Sequence, residues 1–270
     1  MITIIYEIRI MKYRLIMGLM FSGICASKLN AQILNVDREN IDSMQKSWYF
    51  LFNGSYSKDK QVSDIVDISC YNEFVYQLKS NYGVMAMLQF NGTTSGESII
   101  QNEGYLQIRV RDLDKRLLSL SPFVQYQWNG AWGMIHRRLI GTNIRTKIFD
   151  SQGEDGYFGL GLFYQDELWE KETKFSTNPF RDKQFRINSY FKTAVKLSQK
   201  LDFVTQIYFQ TPLKIQESKD YRFYNYAELN FQVNSFLNLG VYLDLFYNSL
   251  PRGDVDKTLY GWGGTFEIIL

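Results

Sequence analysis

The chain has 270 residues, with 30 basic and 28 acidic side chains, so it is nearly neutral and lacks the positive excess on which nucleic-acid binding leans. Aromatic residues make up 16% of it and prolines number only 4, a composition rich in strand formers, while 21% charged residues make it too polar for helical membrane spans. No polar low-complexity stretch divides it, which predicts one large domain behind a removable leader.

The leader comes first. Lys12 and Arg14 form a positive n-region, and Leu15 to Ala26 form an apolar run of signal-peptide length. Residues 1–31 therefore read as a signal peptide cut after Ala31, with Ala26 as the alternative cut and Met11 as the alternative start. Ile24 before Cys25 argues against lipidation, because a small residue normally precedes an acylated cysteine. With the leader go four basic residues and one acidic one, leaving 26 against 27. The mature chain keeps only Cys70, which excludes an internal disulfide. Residues 32–46 mix Ile33, Val36 and Ile41 with Asn35, Asp37, Asn40 and Asp42, as a plug in a barrel mouth or a periplasmic tether would. The Ala31-Gln32 junction resembles export signals common in Bacteroidota.

From Trp48 onward the pattern has period two, which in a strand sends successive side chains to opposite faces. Leu237, Leu239, Val241, Leu243, Leu245 and Tyr247 alternate with Asn238, Gly240, Tyr242, Asp244 and Asn248. Earlier, Leu118, Leu120, Val124, Tyr126 and Trp128 oppose Ser119, Ser121, Gln125 and Gln127. Twelve such segments are predicted, at 46–57, 64–77, 83–92, 100–111, 117–128, 134–148, 156–169, 184–197, 202–211, 220–233, 238–248 and 258–270. Most reach the roughly 9 to 11 residues that a tilted strand needs to cross a bilayer. Joins near Ser80, Lys115, Gln199 and Ser235 are short, those at 169–183, 212–219 and 249–257 are long, and the one at 150–155 is intermediate. Outer-membrane barrels keep short periplasmic turns and longer outside loops. The fold class is accordingly all-β: a transmembrane up-and-down antiparallel β-barrel of about 12 strands over residues 47–270, in the outer membrane. A soluble β-sandwich or lipocalin-like barrel also alternates, but its apolar face points inward and its polar face usually carries more Lys and Glu than this one. Trp48, Trp128, Trp169 and Trp262 fall near strand ends, where an interfacial aromatic girdle would place them.

Three stretches are similar to a known family: Ile33-Leu34-Asn35-Val36-Asp37, then Asn102-Glu103-Gly104-Tyr105-Leu106-Gln107-Ile108-Arg109, then Ser121-Pro122-Phe123-Val124-Gln125-Tyr126-Gln127-Trp128-Asn129. They resemble the outer-membrane barrel family catalogued as domain of unknown function 481, which includes the salt-induced outer-membrane proteins. The resemblance implies a fold and a location, and no activity or site residues. The last strand, with Tyr260, Trp262, Gly264, Phe266, Ile268 and Leu270 on one face, resembles the signal read by the barrel insertion machinery, from which Leu270 departs where an aromatic residue is usual.

Chemistry is sparse. His136 is the single histidine and cannot build a multi-histidine metal site. It supports an outer-membrane lipid hydrolase only as a base for a serine, yet its flanks do not match outer-membrane phospholipase A, and alternation turns it away from the lumen near a rim. Asp150, Glu154 and Asp155 lack the spacing of a calcium loop and read as a solvated turn. Gly159, Gly161, Gly261 and Gly263 alternate within strands, leaving room in a crowded lumen. The expected lumen is lined by Arg109, Arg111, Arg137, Arg145, Lys147, Arg186, Lys192, Glu228, Asp244 and Glu267, with Lys196, Asp67, Glu73, Glu103 and Glu167 adding charge. Such an interior either pairs its charges and closes or lines water. The expectation is a non-enzymatic barrel, a closed structural one or a small gated pore, needing no cofactor or metal. Its partners are outer-membrane lipid, the insertion machinery through the C-terminal strand, and a small polar solute, but no nucleic acid. The 169–183 stretch, with Glu170, Lys171, Glu172, Lys174 and Arg181, is a solvated loop or a surface contact for a partner or glycan.

Overall fold

The computed structural model describes residues 48–60, 64–78, 82–112, 118–151, 154–173, 175–214, 219–234 and 237–268. The leader expected at 1–31 and the segment at 32–46 lie outside the described residues. Twelve strands follow one another: β1 (Trp48–Lys60), β2 (Asp64–Gln77), β3 (Tyr82–Ser95), β4 (Ser98–Asp112), β5 (Leu118–Asn129), β6 (Met134–Ser151), β7 (Glu154–Trp169), β8 (Phe180–Ser198), β9 (Leu201–Pro212), β10 (Arg222–Gln232), β11 (Leu237–Asn248) and β12 (Thr258–Ile268). Each pairs antiparallel with the next in one twelve-stranded sheet, the up-and-down order expected from the alternation.

The sheet is inside out relative to a soluble protein. Along β5, Leu118, Leu120, Val124 and Tyr126 are exposed, while Ser119, Ser121, Gln125, Gln127 and Asn129 are buried. The neighbouring strands repeat this, with Ile140 60% and Leu160 52% exposed beside fully buried Arg137 and Asn188. Hydrocarbon on the outside makes that arrangement favourable, and strands cross it because neighbouring strands satisfy one another's backbone groups. The model is therefore an outer-membrane type of barrel. Its sheet curls until residues far apart in strand order touch: Trp132, between β5 and β6, stacks on Phe246 of β11 with ring centroids 6.0 Å apart.

All joins at one end are short, whereas the opposite end mixes the short joins after β1, β3 and β5 with the long ones after β7, β9 and β11. The β6–β7 join, intermediate by sequence, is bounded by Ser151 and Glu154, which are register partners. At the opposite end β8 starts at Phe180, several residues earlier than the alternation suggests, so Arg181 belongs to a strand rather than to a loop. A short 3-10 turn at Gly130–Trp132 links β5 to β6, begun by the Asn129 side chain accepting from the Trp132 amide and ended by Gly133 at φ 71°.

The parity of β6 changes near its start. A register shift between Met134 and His136 inserts Ile135 into β6, so Met134 is buried inside, His136 faces outward and Arg137 returns to the interior. Trp169 pairs with Met134 on that inner face and is 1% exposed, so it is not part of an interfacial girdle.

Because the outward face meets hydrocarbon, Leu160→Arg in the middle of β7 should destabilise the barrel by about 2–4 kcal/mol in lipid. Urea titration of bilayer-folded protein, followed by heat-modifiable gel migration, measures this; a soluble core would instead leave the protein outside the membrane fraction.

Candidate functional site

The barrel interior is filled in layers, and strand periodicity sets them. From the long-loop end, β7 carries inward Trp169, Glu167, Gln165, Phe163 and Tyr157. β6 carries Arg137, Leu139, Asn143, Arg145 and Lys147, and β8 carries Gln184, Arg186, Asn188, Tyr190 and Lys192. Register places similar chemistry at similar depth: an ionic layer, an aromatic layer and then a basic one.

In the ionic layer, the Glu167 carboxylate lies between two arginines. Arg137 Nε is 2.8 Å from Oε1, and Arg222 of β10 donates from Nη1 and Nη2 at 2.7 and 3.0 Å. Trp169 Nε1 donates to the same carboxylate at 3.1 Å. Arg137 also donates to Gln165 at 2.9 Å and across to Gln210 of β9 at 3.3 Å. Beside this group Arg186 pairs with Asp220, which descends from the β9–β10 connection. Glu167, Arg137 and Arg222 are essentially without solvent exposure. A charge in that position is tolerable only when paired and hydrogen-bonded, which ties β6, β7, β9 and β10 together.

Below it, Phe123, Leu139, Phe163, Tyr190, Tyr208 and Phe246 form one apolar cluster contributed by six strands, with Trp132, Tyr224 and Leu259 packed against it. Tyr190 and Tyr208 stack with centroids 5.7 Å apart. Tyr190 fits because its cross-strand partner is Gly159, where a Cβ would fall on the tyrosine ring. Gly161 makes room for Asn143 in the same way, Gly261 for Asp244 and Gly263 for Tyr242.

The basic layer gathers around Tyr157. Arg145 lies over its ring at 4.2 Å and Lys147 at 5.6 Å, and Lys192 is its register partner. Arg109, 5.9 Å from the Phe123 ring, and Arg111 are buried on β4. None of these five cations stands free.

Expected acidic positions lie on other walls. Glu228 accepts from Tyr226 at 2.6 Å, and Asp244 is buried on β11. Glu103 accepts from Asn91, Gln101 and Asn129 at 3.1, 2.8 and 2.8 Å. Glu267 pairs with Asn238 in the β11–β12 register, and its side chain lies outside the described residues. The sequence reading of the lumen omitted Arg222 and Asp220. Both were within reach of it: Arg222 alternates in phase with Tyr224 and Glu228, and Asp220 continues that phase beyond the strand.

His136 is on the outer wall, stacked at 6.4 Å on Tyr126. Its Nε2 has no hydrogen-bond partner among the described residues. Asp150 and Asp155 are register partners at the β6–β7 turn, and no grouping of three metal-ligating side chains occurs among the described residues.

The family described as "Protein of unknown function, DUF481" matches residues 72–261. The chain belongs to that family. The DUF481 match runs from β2 into β12 and so spans the whole interior stack. Among solved structures this DUF481 protein is similar to the NanC porin, with 10% identity and a TM-score of 0.43 over 82% of this chain and 99% of that one. It is also similar to the KdgM porin, with 7% identity and a TM-score of 0.41 over 82% and 100%, and to OmpT, an outer membrane protein of Vibrio cholerae, with 7% identity and a TM-score of 0.28 over 82% and 96%. No curated protein matches it.

Glu167→Gln leaves Arg137 and Arg222 buried without their counter-charge and should destabilise the barrel by about 3–5 kcal/mol, as removal of one member of a buried ionic group does. Urea unfolding in lipid checks this; a loss below about 1 kcal/mol, the size of an exposed ion pair, would mean that the layer is wet.

Proposed function

We propose that this chain is a porin-like, non-enzymatic outer-membrane barrel whose lumen is held shut by its own side chains at the level of Glu167. The observation that carries the reading is the placement of one carboxylate between Arg137 and Arg222, with the aromatic cluster directly beneath it. Arginines from opposing walls meet there on a shared acid, where an open pore would have them line water. The mouth above is covered as well. The β11–β12 connection joins the β7–β8 connection through a Gly253 amide donating to the Glu172 carbonyl at 3.2 Å, and Arg252 pairs with Glu172 at 3.3 Å.

A partition built of side chains differs from one built of a folded segment, because it can be opened by removing a few atoms. The mixed-charge interior then supplies the path, with the basic cluster around Tyr157 on one wall and Glu228 and Asp244 on others. A small polar solute is the cargo such a path would accept, and only in an opened state.

Planar-bilayer recording tests the reading. Folded wild-type protein should give no steady conductance, whereas the charge-neutral double variant Glu167→Ala/Arg222→Ala should give discrete current steps. Ohmic current from the wild type would overturn the closed reading.

A further inference from the structure

The outward wall carries one group of charges that the closed lumen does not use. In a row across three strands, Arg138 of β6 is the register partner of Asp166 of β7, and Asp166 that of Lys183 of β8. One row nearer the long-loop end, His136, Leu168 and Arg181 are neighbours. Arg181 spans the rows and grips Asp166 with two hydrogen bonds, Nε at 2.8 Å and Nη2 at 2.7 Å. Three cations therefore surround a single acid that is bonded to Arg181. Arg138 and Lys183 are exposed, with no ion-pair partner among the described residues.

The patch is singular on this wall. Away from the strand ends, the outward positions of β2 to β12 carry no other charge among the described residues, and apolar side chains dominate them. The next row down is already Ile140, Tyr164 and Phe185, the last two with rings 5.2 Å apart. To the side stand Tyr126 and Trp128 of β5, amphipathic residues of the kind that settle at headgroup depth. The charges thus sit where hydrocarbon gives way to headgroups, at the end whose long connections face the cell exterior in barrels of this kind.

We infer that Arg138, Lys183 and the Asp166-held Arg181 form a binding site for the phosphate of an outer-leaflet lipid headgroup. Arg138 and Lys183 are separated by two strand spacings, about 10 Å between backbones, which their long side chains close to a phosphate's width. Asp166 contributes position: by fixing the Arg181 guanidinium it presents that cation at the rim, and it also removes one positive charge from the net balance. A guanidinium matches phosphate oxygens with two parallel donors, and the boundary layer screens the attraction less than open water does. The acyl chains of the same lipid would run down over Ile140, Tyr164 and Phe185.

Native mass spectrometry of the full chain folded in detergent tests the site with diphosphoryl lipid A as probe, against the same lipid enzymatically dephosphorylated. Wild type should retain the phosphorylated lipid selectively, and inorganic phosphate should fail to displace it. Arg138→Gln/Lys183→Gln should weaken retention by about thirtyfold, the loss expected when two cations at a charged lipid surface are neutralised, with heat-modifiable migration unchanged. Lys58→Gln/Lys60→Gln, at the exposed end of β1, should change nothing. Equal retention of both lipids, displacement by inorganic phosphate, or equal losses in the two double variants would overturn the assignment.

Discussion

A barrel wall in hydrocarbon has to show its apolar side to the outside, so every polar side chain along the crossing is sent into a narrow space that must satisfy it from within. Glu167 is where this constraint is tightest. It receives both arginines and an indole N–H because water cannot serve any of them there. The remainder of the interior arranges itself around that point. Amides of Gln165 and Gln210 take the donors left over on Arg137, and the aromatic layer seals the ionic one from below.

The same constraint explains the glycines. An interior this full admits a large ring only where the facing strand gives up its own side chain, so Tyr190 answers Gly159 and Tyr242 answers Gly263. Size complementarity across neighbouring strands packs the barrel as a soluble core is packed, with tyrosines and amides in place of leucines. On the outside Leu, Ile and Phe dominate and present their surface to hydrocarbon.

Alternation is a local signal with a period of two residues, which is why all twelve strands and their facing were legible in the sequence. The extra Ile135 turns the parity of β6 over without disturbing the expected placement of His136 outside and Arg137 inside. The failures of alternation come at a strand end and where distance enters. Trp169 at a strand end looks like an interfacial residue, yet it lies two residues from Glu167 on the same strand and shares its inward face. Arg137 and Arg186 were placed inside by phase alone, but their joining to Arg222 and Asp220 depends on curvature, which no short window of sequence encodes. The outer-wall charges were hidden for another reason. Arg181 and Lys183 read as part of a loop until β8 is found to begin at Phe180, and only then do they line up with Arg138.

The shared carboxylate also bears on the order of assembly. Arg137 and Glu167 are register partners within one hairpin, so they meet as soon as β6 and β7 zip together. Arg222 lies 55 residues further along and arrives only with β10. In a chain laid into the membrane one hairpin after another, the acid is carried first by a single arginine, and the second acts as a latch that engages near the end. A contact of that sequence separation costs more chain entropy to close than one within a hairpin.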